Sequence, residues 1–307
     1  MASPRSDEPA GSTAGRRAAP NPAQPPRGVA KARSDEPGGS TAGRRAAPSP
    51  AQPPRGVAKA RSDEPGGSTI WLFDLDNTLH NASRSVFREL NAQMSAYIVR
   101  ELGVSAEEAD ALRRSYWRRY GATLLGLMRH HGVRAAHFLH HTHLLPGLEA
   151  RLHGHAHDFD ALLRLPGRKV VLTNAPAAYT ARVLGVLGIA RAFDDVFSIE
   201  DMAMFGHLRP KPDARMLHRM TVRLRVPASR CVLVEDTLEH QKAARRVGMR
   251  TVWMQRWTRA AGPAGTVAAG RTTLTPGYVD HRVRSLSALC RLPRHRHART
   301  PETGPWG

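Results

Sequence analysis

Ile70-Trp71-Leu72-Phe73-Asp74-Leu75-Asp76-Asn77-Thr78 is a short apolar run that stops abruptly on acidic and polar residues. A run of this length, bounded by a turn, is the pattern of a strand buried on both faces, as in a parallel sheet. Its end carries two carboxylates, Asp74 and Asp76. In open α/β sheets, ligands gather beyond the carboxyl ends of the strands. The same pattern recurs downstream at Lys169–Thr173 (KVVLT), Cys231–Glu235 (CVLVE) and Arg250–Met254 (RTVWM), with a weaker copy at Phe193–Ser198 (FDDVFS). Helical patterns lie between these runs, at Ala177–Leu187, Asp213–Leu224 and Glu239–Val247, the last stopped by Gly248. Strands alternating with helices predict an α/β fold, a doubly wound and mostly parallel sheet over residues 70–254.

One interval breaks the alternation. Between Asp76 and Lys169 the chain shows only helical segments, Arg84–Leu102, Ala106–Tyr120 and Ala122–His131, then a His-rich stretch to about Leu163. That is too long for an ordinary connection. An all-helical cap domain inserted after the first strand, over about residues 82–166, is the expectation.

The flanks have a different composition. The segment from Arg5 recurs from Arg33 and begins again at Arg61, a period of 28 residues. Such a period raises the possibility of a solenoid, but each unit is Pro, Gly, Ser, Ala and Arg with almost nothing to bury. Residues 1–69 therefore read as a disordered repeat. Residues 255–307, rich in Arg, Thr, Pro and Gly, read as a basic, poorly ordered tail.

The formal charge of +20 over 307 residues suggests nucleic acid at first sight. Residues 1–69 hold 11 Lys/Arg against 6 Asp/Glu, and residues 255–307 hold 9 against 2, so the flanks carry more than half of the excess. A solvated charged surface is the plainer explanation. No run approaches the length of a membrane-spanning helix. The opening MASPRSDEPAGST lacks the apolar stretch of a targeting peptide. Two cysteines, Cys231 and Cys290, build neither a disulfide framework nor a thiolate metal site, which points to the cytoplasm.

The strand ends carry the chemistry. The first closes on Asp74-Leu75-Asp76-Asn77-Thr78, the second on Thr173-Asn174, and the fourth on Glu235-Asp236. Lys211 is held between Pro210 and Pro212 ahead of a helix. These four motifs, in this order over residues 70–254, resemble the haloacid dehalogenase superfamily. The resemblance implies a phosphoryl-transfer enzyme. Asp74 would be the nucleophile forming an aspartyl-phosphate, and Asp76 the acid and base for the leaving oxygen and the attacking water. Thr173 and the Asn174 backbone N–H would cradle phosphoryl oxygens, and Lys211 would neutralise charge and fix Asp74. Mg²⁺ would be held by Asp74, the main-chain carbonyl of Asp76 and Asp236, with Glu235 holding a metal-bound water. The charge argument agrees, because an anionic ester resists an anionic nucleophile unless positive charge intervenes.

The resemblance can be narrowed. Relatives that cleave carbon–halogen bonds lack the second motif aspartate, which is present here as Asp76. Phosphonate-cleaving relatives need a cap lysine, and this chain has none between Lys59 and Lys169. Only 36 residues separate Asn174 from Lys211, too few for a second cap. The DxDNTL motif and a YGxxxxGL stretch from Tyr120 resemble the pyrimidine 5′-nucleotidase branch. That implies a small phosphomonoester substrate of the nucleoside monophosphate class, with Tyr116, Trp117 and Tyr120 as candidate contacts to the base. Tyr116 and Tyr120 share a helix face, and packing inside the cap is the competing reading. His137, His140, His141, His143, His153, His155 and His157 read as polar cap surface rather than a zinc site, since no Cys accompanies them. Cys231 reads as a small core residue. His80 is a candidate for the cleft between cap and core, or for a helix start or hinge. Two alternatives stay open: a phosphomutase or another small-phosphoester phosphatase of the same fold, and an idle domain whose basic tails contact nucleic acid. The oligomeric state is open.

Overall fold

The computed structural model describes residues 68–257 and 274–293. The repeat up to residue 67 and the remainder of the C-terminal tail lie outside the described residues.

Strand β1 (Ile70–Phe73) opens the fold and is followed by seven helices. These are α1 (Ala82–Ser85), α2 (Phe87–Leu102), α3 (Ala106–Tyr120), α4 (Thr123–His131), α5 (Ala135–Thr142), α6 (Leu148–Arg151) and α7 (Ala156–Arg164). Strand β2 (Arg168–Leu172) and helix α8 (Ala177–Val186) resume the alternation, then β3 (Asp195–Phe197) and a two-stranded hairpin, β4 (Ala203–Met204) and β5 (His207–Leu208). Helix α9 (Ala214–Leu224), β6 (Cys231–Glu235), α10 (Leu238–Arg246), β7 (Arg250–Met254) and β8 (His281–Val283) complete it. The main sheet has the order β3-β2-β1-β6-β7-β8, and each neighbouring pair is parallel.

Alternate residues of the central strands join different clusters. Trp71, Phe73, Val171, Val232, Val234 and Val252 pack on one face. Ile70, Leu72, Val170, Leu172, Cys231 and Leu233 pack on the other. This period of two, apolar on both faces, is why the strands read as continuous hydrophobic runs. Register then fixes the site: Phe73 pairs with Val171 on one side and Val234 on the other. Asp74 thus emerges beside Glu235, at the point where the winding reverses between β1 and β6.

The cap has a core of its own. Tyr97, Ile98, Ala109, Leu124, Leu127, Phe138 and Leu139 form a cluster that also takes in Ile199, which follows β3, with Leu208 of β5 packed against it. Helix α3 begins with a capping box between Ser105 and Glu108 and ends at Gly121 in the left-handed conformation. Leu148, Leu152, Leu162 and Leu165, from the end of the insertion, pack with the sheet rather than with the cap.

Two expectations need correction. The helix read as starting at Arg84 is broken at Val86, whose backbone (φ −126°, ψ −50°) leaves the helix while its side chain buries against the sheet. The tail read as poorly ordered from residue 255 contains β8, and Val283, Leu286 and Leu289 join the sheet cluster. Its apolar residues are spaced singly among Arg and Ser, so no run betrays the strand. Among the described residues no helix is long and apolar enough to cross a membrane.

Candidate active site

The ends of β1, β2 and β6 and the turn before α9 converge. Lys211 Nζ donates to Asp74 Oδ1 and to Glu235 Oε2, both at 2.7 Å. The lysine side chain is 1% exposed, so this is a buried ion triad in which a single lysine serves two carboxylates. The turn that carries Lys211 is tied to the end of β2: Lys211 N donates to Asn174 Oδ1 at 2.9 Å, and Asn174 Nδ2 donates to Lys211 O at 3.0 Å. The Lys211–Pro212 peptide is cis.

Asp76 has a different environment. Tyr179 Oη donates to its Oδ1 at 2.7 Å, and His80 Nε2 lies 2.9 Å from the same oxygen. Asn77, at φ 60°, turns the chain, a conformation asparagine tolerates. Its side-chain amide exchanges two hydrogen bonds with Ser83, anchoring the turn to α1. Thr173 Oγ1 accepts from Ala175 N at 3.0 Å, which leaves its own proton free to donate.

Asp74, Glu235 and Asp236 gather carboxylate oxygens within 4.8 Å of one another. Burial, with Glu235 next in weight, pushes the Asp74 carboxyl up to about 6 despite Lys211. Burial and the charges of Glu235 and Asp74 raise Asp236 well above its ordinary value. Glu235 is also desolvated, but Lys211 and His240, whose Nδ1 stands 3.0 Å away, hold it below the carboxylate range. Buried carboxylates that also crowd one another are a donor set suited to a hard divalent cation. The residues fit Mg²⁺. Glu235 is engaged on both oxygens, by Lys211 and by Thr237 N, which leaves Asp74 and Asp236 as the more available donors.

The aromatic candidates are divided. Tyr116 packs against the cap cluster, over Gly126, where any Cβ would overlap its ring. Its hydroxyl bonds His131 Nε2 at 2.8 Å. Tyr120 bonds His130 Nε2 at 2.6 Å, and Trp117 is exposed. The following residue, Gly121, abuts Pro212 beside the site lysine. Among the cap histidines, His143 is not simple surface. Its ring lies 5.8 Å from that of Tyr179, and burial pulls it down to about 4. Cys231 is a buried core residue, its thiol pushed up to about 11 by burial. Sequence reading did not single out Tyr179, His240 or the Asn174 side chain, and an aromatic on an apolar helix carries no signal of a polar role.

The Saccharomyces cerevisiae phosphate metabolism protein 8 is 28% identical over 137 residues, 41% of this chain and 42% of that protein. The chain thus spans less than half the length of that curated relative. A haloacid dehalogenase phosphatase from Thermococcus onnurineus has a TM-score of 0.49 at 20% identity, covering 73% of this chain and 96% of that one. The Rhodobacter sphaeroides protein CbbY, in complex with xylulose-(1,5)-bisphosphate, has a TM-score of 0.47 at 19% identity, covering 72% and 95%. The family of haloacid dehalogenase-like hydrolases matches residues 70–248, more than half of the sequence, and the chain belongs to that family.

Proposed function

We propose that the protein is a Mg²⁺-dependent phosphatase that forms an aspartyl-phosphate on Asp74 and acts on pyrimidine nucleoside 5′-monophosphates. One observation carries the reading: two carboxylates two residues apart are held by separate partners, Asp74 by Lys211 and Asp76 by Tyr179 and His80. Two acids in different environments can divide the roles of nucleophile and proton carrier.

In the first step Asp74 Oδ2 attacks phosphorus while Lys211 holds Oδ1. The ester P–O bond breaks, and the leaving oxygen takes a proton from Asp76. In the second, Asp76 accepts a proton from water as the water oxygen attacks the phosphorus, releasing phosphate and restoring Asp74. The Thr173 hydroxyl and the Asn174 main-chain N–H cradle phosphoryl oxygens. Asp74, Asp236 and the Asp76 carbonyl would hold a divalent cation, which would supply positive charge against the phosphoryl group.

These residues meet the phosphoryl group, which every monoester shares, so selectivity falls to the cap. The pyrimidine assignment is supported by DxDNTL and the YG stretch, and by the contact of Gly121 with Pro212, which brings the Tyr120 end of α3 against the lysine turn. The name of the yeast relative agrees with phosphate chemistry.

The test is phosphate release from UMP, CMP, AMP, a sugar phosphate and p-nitrophenyl phosphate, with and without EDTA. UMP and CMP are expected to lead and EDTA to stop turnover. Preference for AMP or the sugar phosphate overturns the pyrimidine assignment, and no release from any ester overturns the phosphatase. Tyr120→Ala should cost about tenfold to hundredfold in kcat/KM on UMP and CMP while sparing the aryl ester.

A further inference from the structure

We infer that Tyr179 and His80 are positioning residues that clamp one oxygen of Asp76, so that the other oxygen alone carries the proton. The inference deepens the reading above and rests on Asp76 being the acid and base.

Both partners reach the same atom, Oδ1, at 2.7 Å and 2.9 Å. They arrive from different parts of the fold. His80 lies four residues on, in the turn after β1, and Tyr179 is in α8, 103 residues away. Tyr179 is 2% exposed and His80 is fully buried. Neither side chain can swing to follow a moving carboxylate, since Tyr179 is packed in the sheet cluster with His143 against its ring. Rotating the Asp76 carboxylate would break both bonds at once. The histidine contact requires the tautomer with hydrogen on Nε2. Nδ1 then bears a lone pair, and this buried atom has no partner. The opposite tautomer would bury an unpaired N–H and turn a lone pair toward the carboxylate, which is worse on both counts. The second carboxylate oxygen, Oδ2, is left to exchange the proton, first with the leaving oxygen and then with water. Holding an acid at the correct oxygen is the kind of placement that proton transfer depends on.

The dependence on leaving group separates this role from a packing role. An alkoxide such as the 5′ oxygen of a nucleoside must be protonated as the P–O bond breaks. p-Nitrophenolate leaves without a proton. The parameter to read is kcat/KM, which ends at the first irreversible step and excludes the hydrolysis of the aspartyl-phosphate that both esters share.

Tyr179→Phe removes one hydroxyl and keeps the ring. It is expected to lower kcat/KM for UMP, or the best alkyl phosphate of the panel, by about tenfold to hundredfold. The value for p-nitrophenyl phosphate should change by less than about threefold, with KM little altered, because binding is not touched. Equal losses on the two esters, or no loss on either, overturn the inference. His80→Gln, which retains a donor near Nε2, should keep more alkyl-ester activity than His80→Asn. That pair carries the same comparison if Tyr179→Phe fails to fold. Asp76→Asn separates the two readings: full UMP turnover in that variant removes the acid–base assignment itself, whatever Tyr179→Phe does.

Discussion

Asn174 and Lys211 exchange two hydrogen bonds, side-chain amide to main-chain peptide group, so that the end of β2 grips the turn that presents the lysine. The side chain of Asn174 is therefore spent on holding Lys211, which in turn bonds both Asp74 and Glu235. Placement of Asp74 thus passes through an amide that is not itself charged.

Asn174→Ala leaves the N–H and C=O of a buried residue without partners, at about 1–3 kcal/mol for each group left unmade. Urea denaturation should show a loss of at least about 2 kcal/mol, accompanied by a fall in kcat. Asn174→Asp keeps the acceptor for the Lys211 N–H and loses only the donor, so its stability should fall between the two. An alanine variant as stable as wild type would show that the two loops hold their places without the amide.

The strand ends were legible in the sequence because a parallel strand buried on both faces is an uninterrupted apolar run, and its end is marked by the first polar residue. Asp74, Thr173 and Glu235 all follow such runs. Tyr179 was not legible, because its neighbours Ala178, Val183 and Leu184 make it read as one more apolar residue on a buried helix face. Its bond to Asp76 depends on how α8 packs. The helical insertion was legible from the missing strand signal. That its last helices return to the sheet was not, since Leu148 and Leu162 have the same spacing whichever surface they cover. Strand β8 escaped notice because three residues, His281-Arg282-Val283, contain only one apolar side chain.

Asp74→Asn should abolish turnover and change the pH dependence of stability in the metal-free protein. Burial raises this carboxyl from 3.8 to about 6 in the folded state. Below pH 4 the group is protonated whether folded or unfolded and costs nothing. Between pH 4 and 6 the unfolded chain ionises freely while the folded one resists, so wild type loses stability with rising pH, by about 3 kcal/mol in all. Asparagine cannot ionise and still offers an oxygen to Lys211. In EDTA the variant should therefore lack that slope and exceed wild type above pH 6. Parallel pH profiles for the two proteins would contradict the resistance to ionisation that burial gives Asp74.

Cation binding should show as stabilisation independent of activity. A ligand at about a hundred times its Kd adds about 2.7 kcal/mol to the folded state, so MgCl₂ should raise the melting temperature by several degrees. Asp236→Asn should lose this shift, since it removes a carboxylate from the cluster. Asp76→Asn should keep it, since that residue would offer only its main-chain carbonyl. A Mg²⁺ shift that survives in Asp236→Asn would place the cation elsewhere.

Gly121 and Gly103 offer a matched pair for the contact between cap and core. Both end cap helices in the left-handed conformation, at φ 78° and 66°. A methyl group on Gly121 would stand 3.4 Å from Pro212 Cδ, whereas one on Gly103 would meet nothing within 4 Å. Valine at either position meets backbone strain of about 1–2 kcal/mol, so both variants should melt at lower and similar temperatures. Only at position 121 do the added γ-methyl groups press on the proline that follows Lys211. Displacing that turn moves the lysine relative to Asp74, and a misplacement of about 1 Å can cost about a hundredfold in rate. Gly121→Val should therefore lose about tenfold or more in kcat/KM, on p-nitrophenyl phosphate as well as UMP, because in the proposed mechanism Lys211 serves both esters. Gly103→Val should keep near wild-type kinetics at temperatures where it stays folded. Equal kinetic losses in the two variants would mean that cap stability, and not the contact with Pro212, sets the rate.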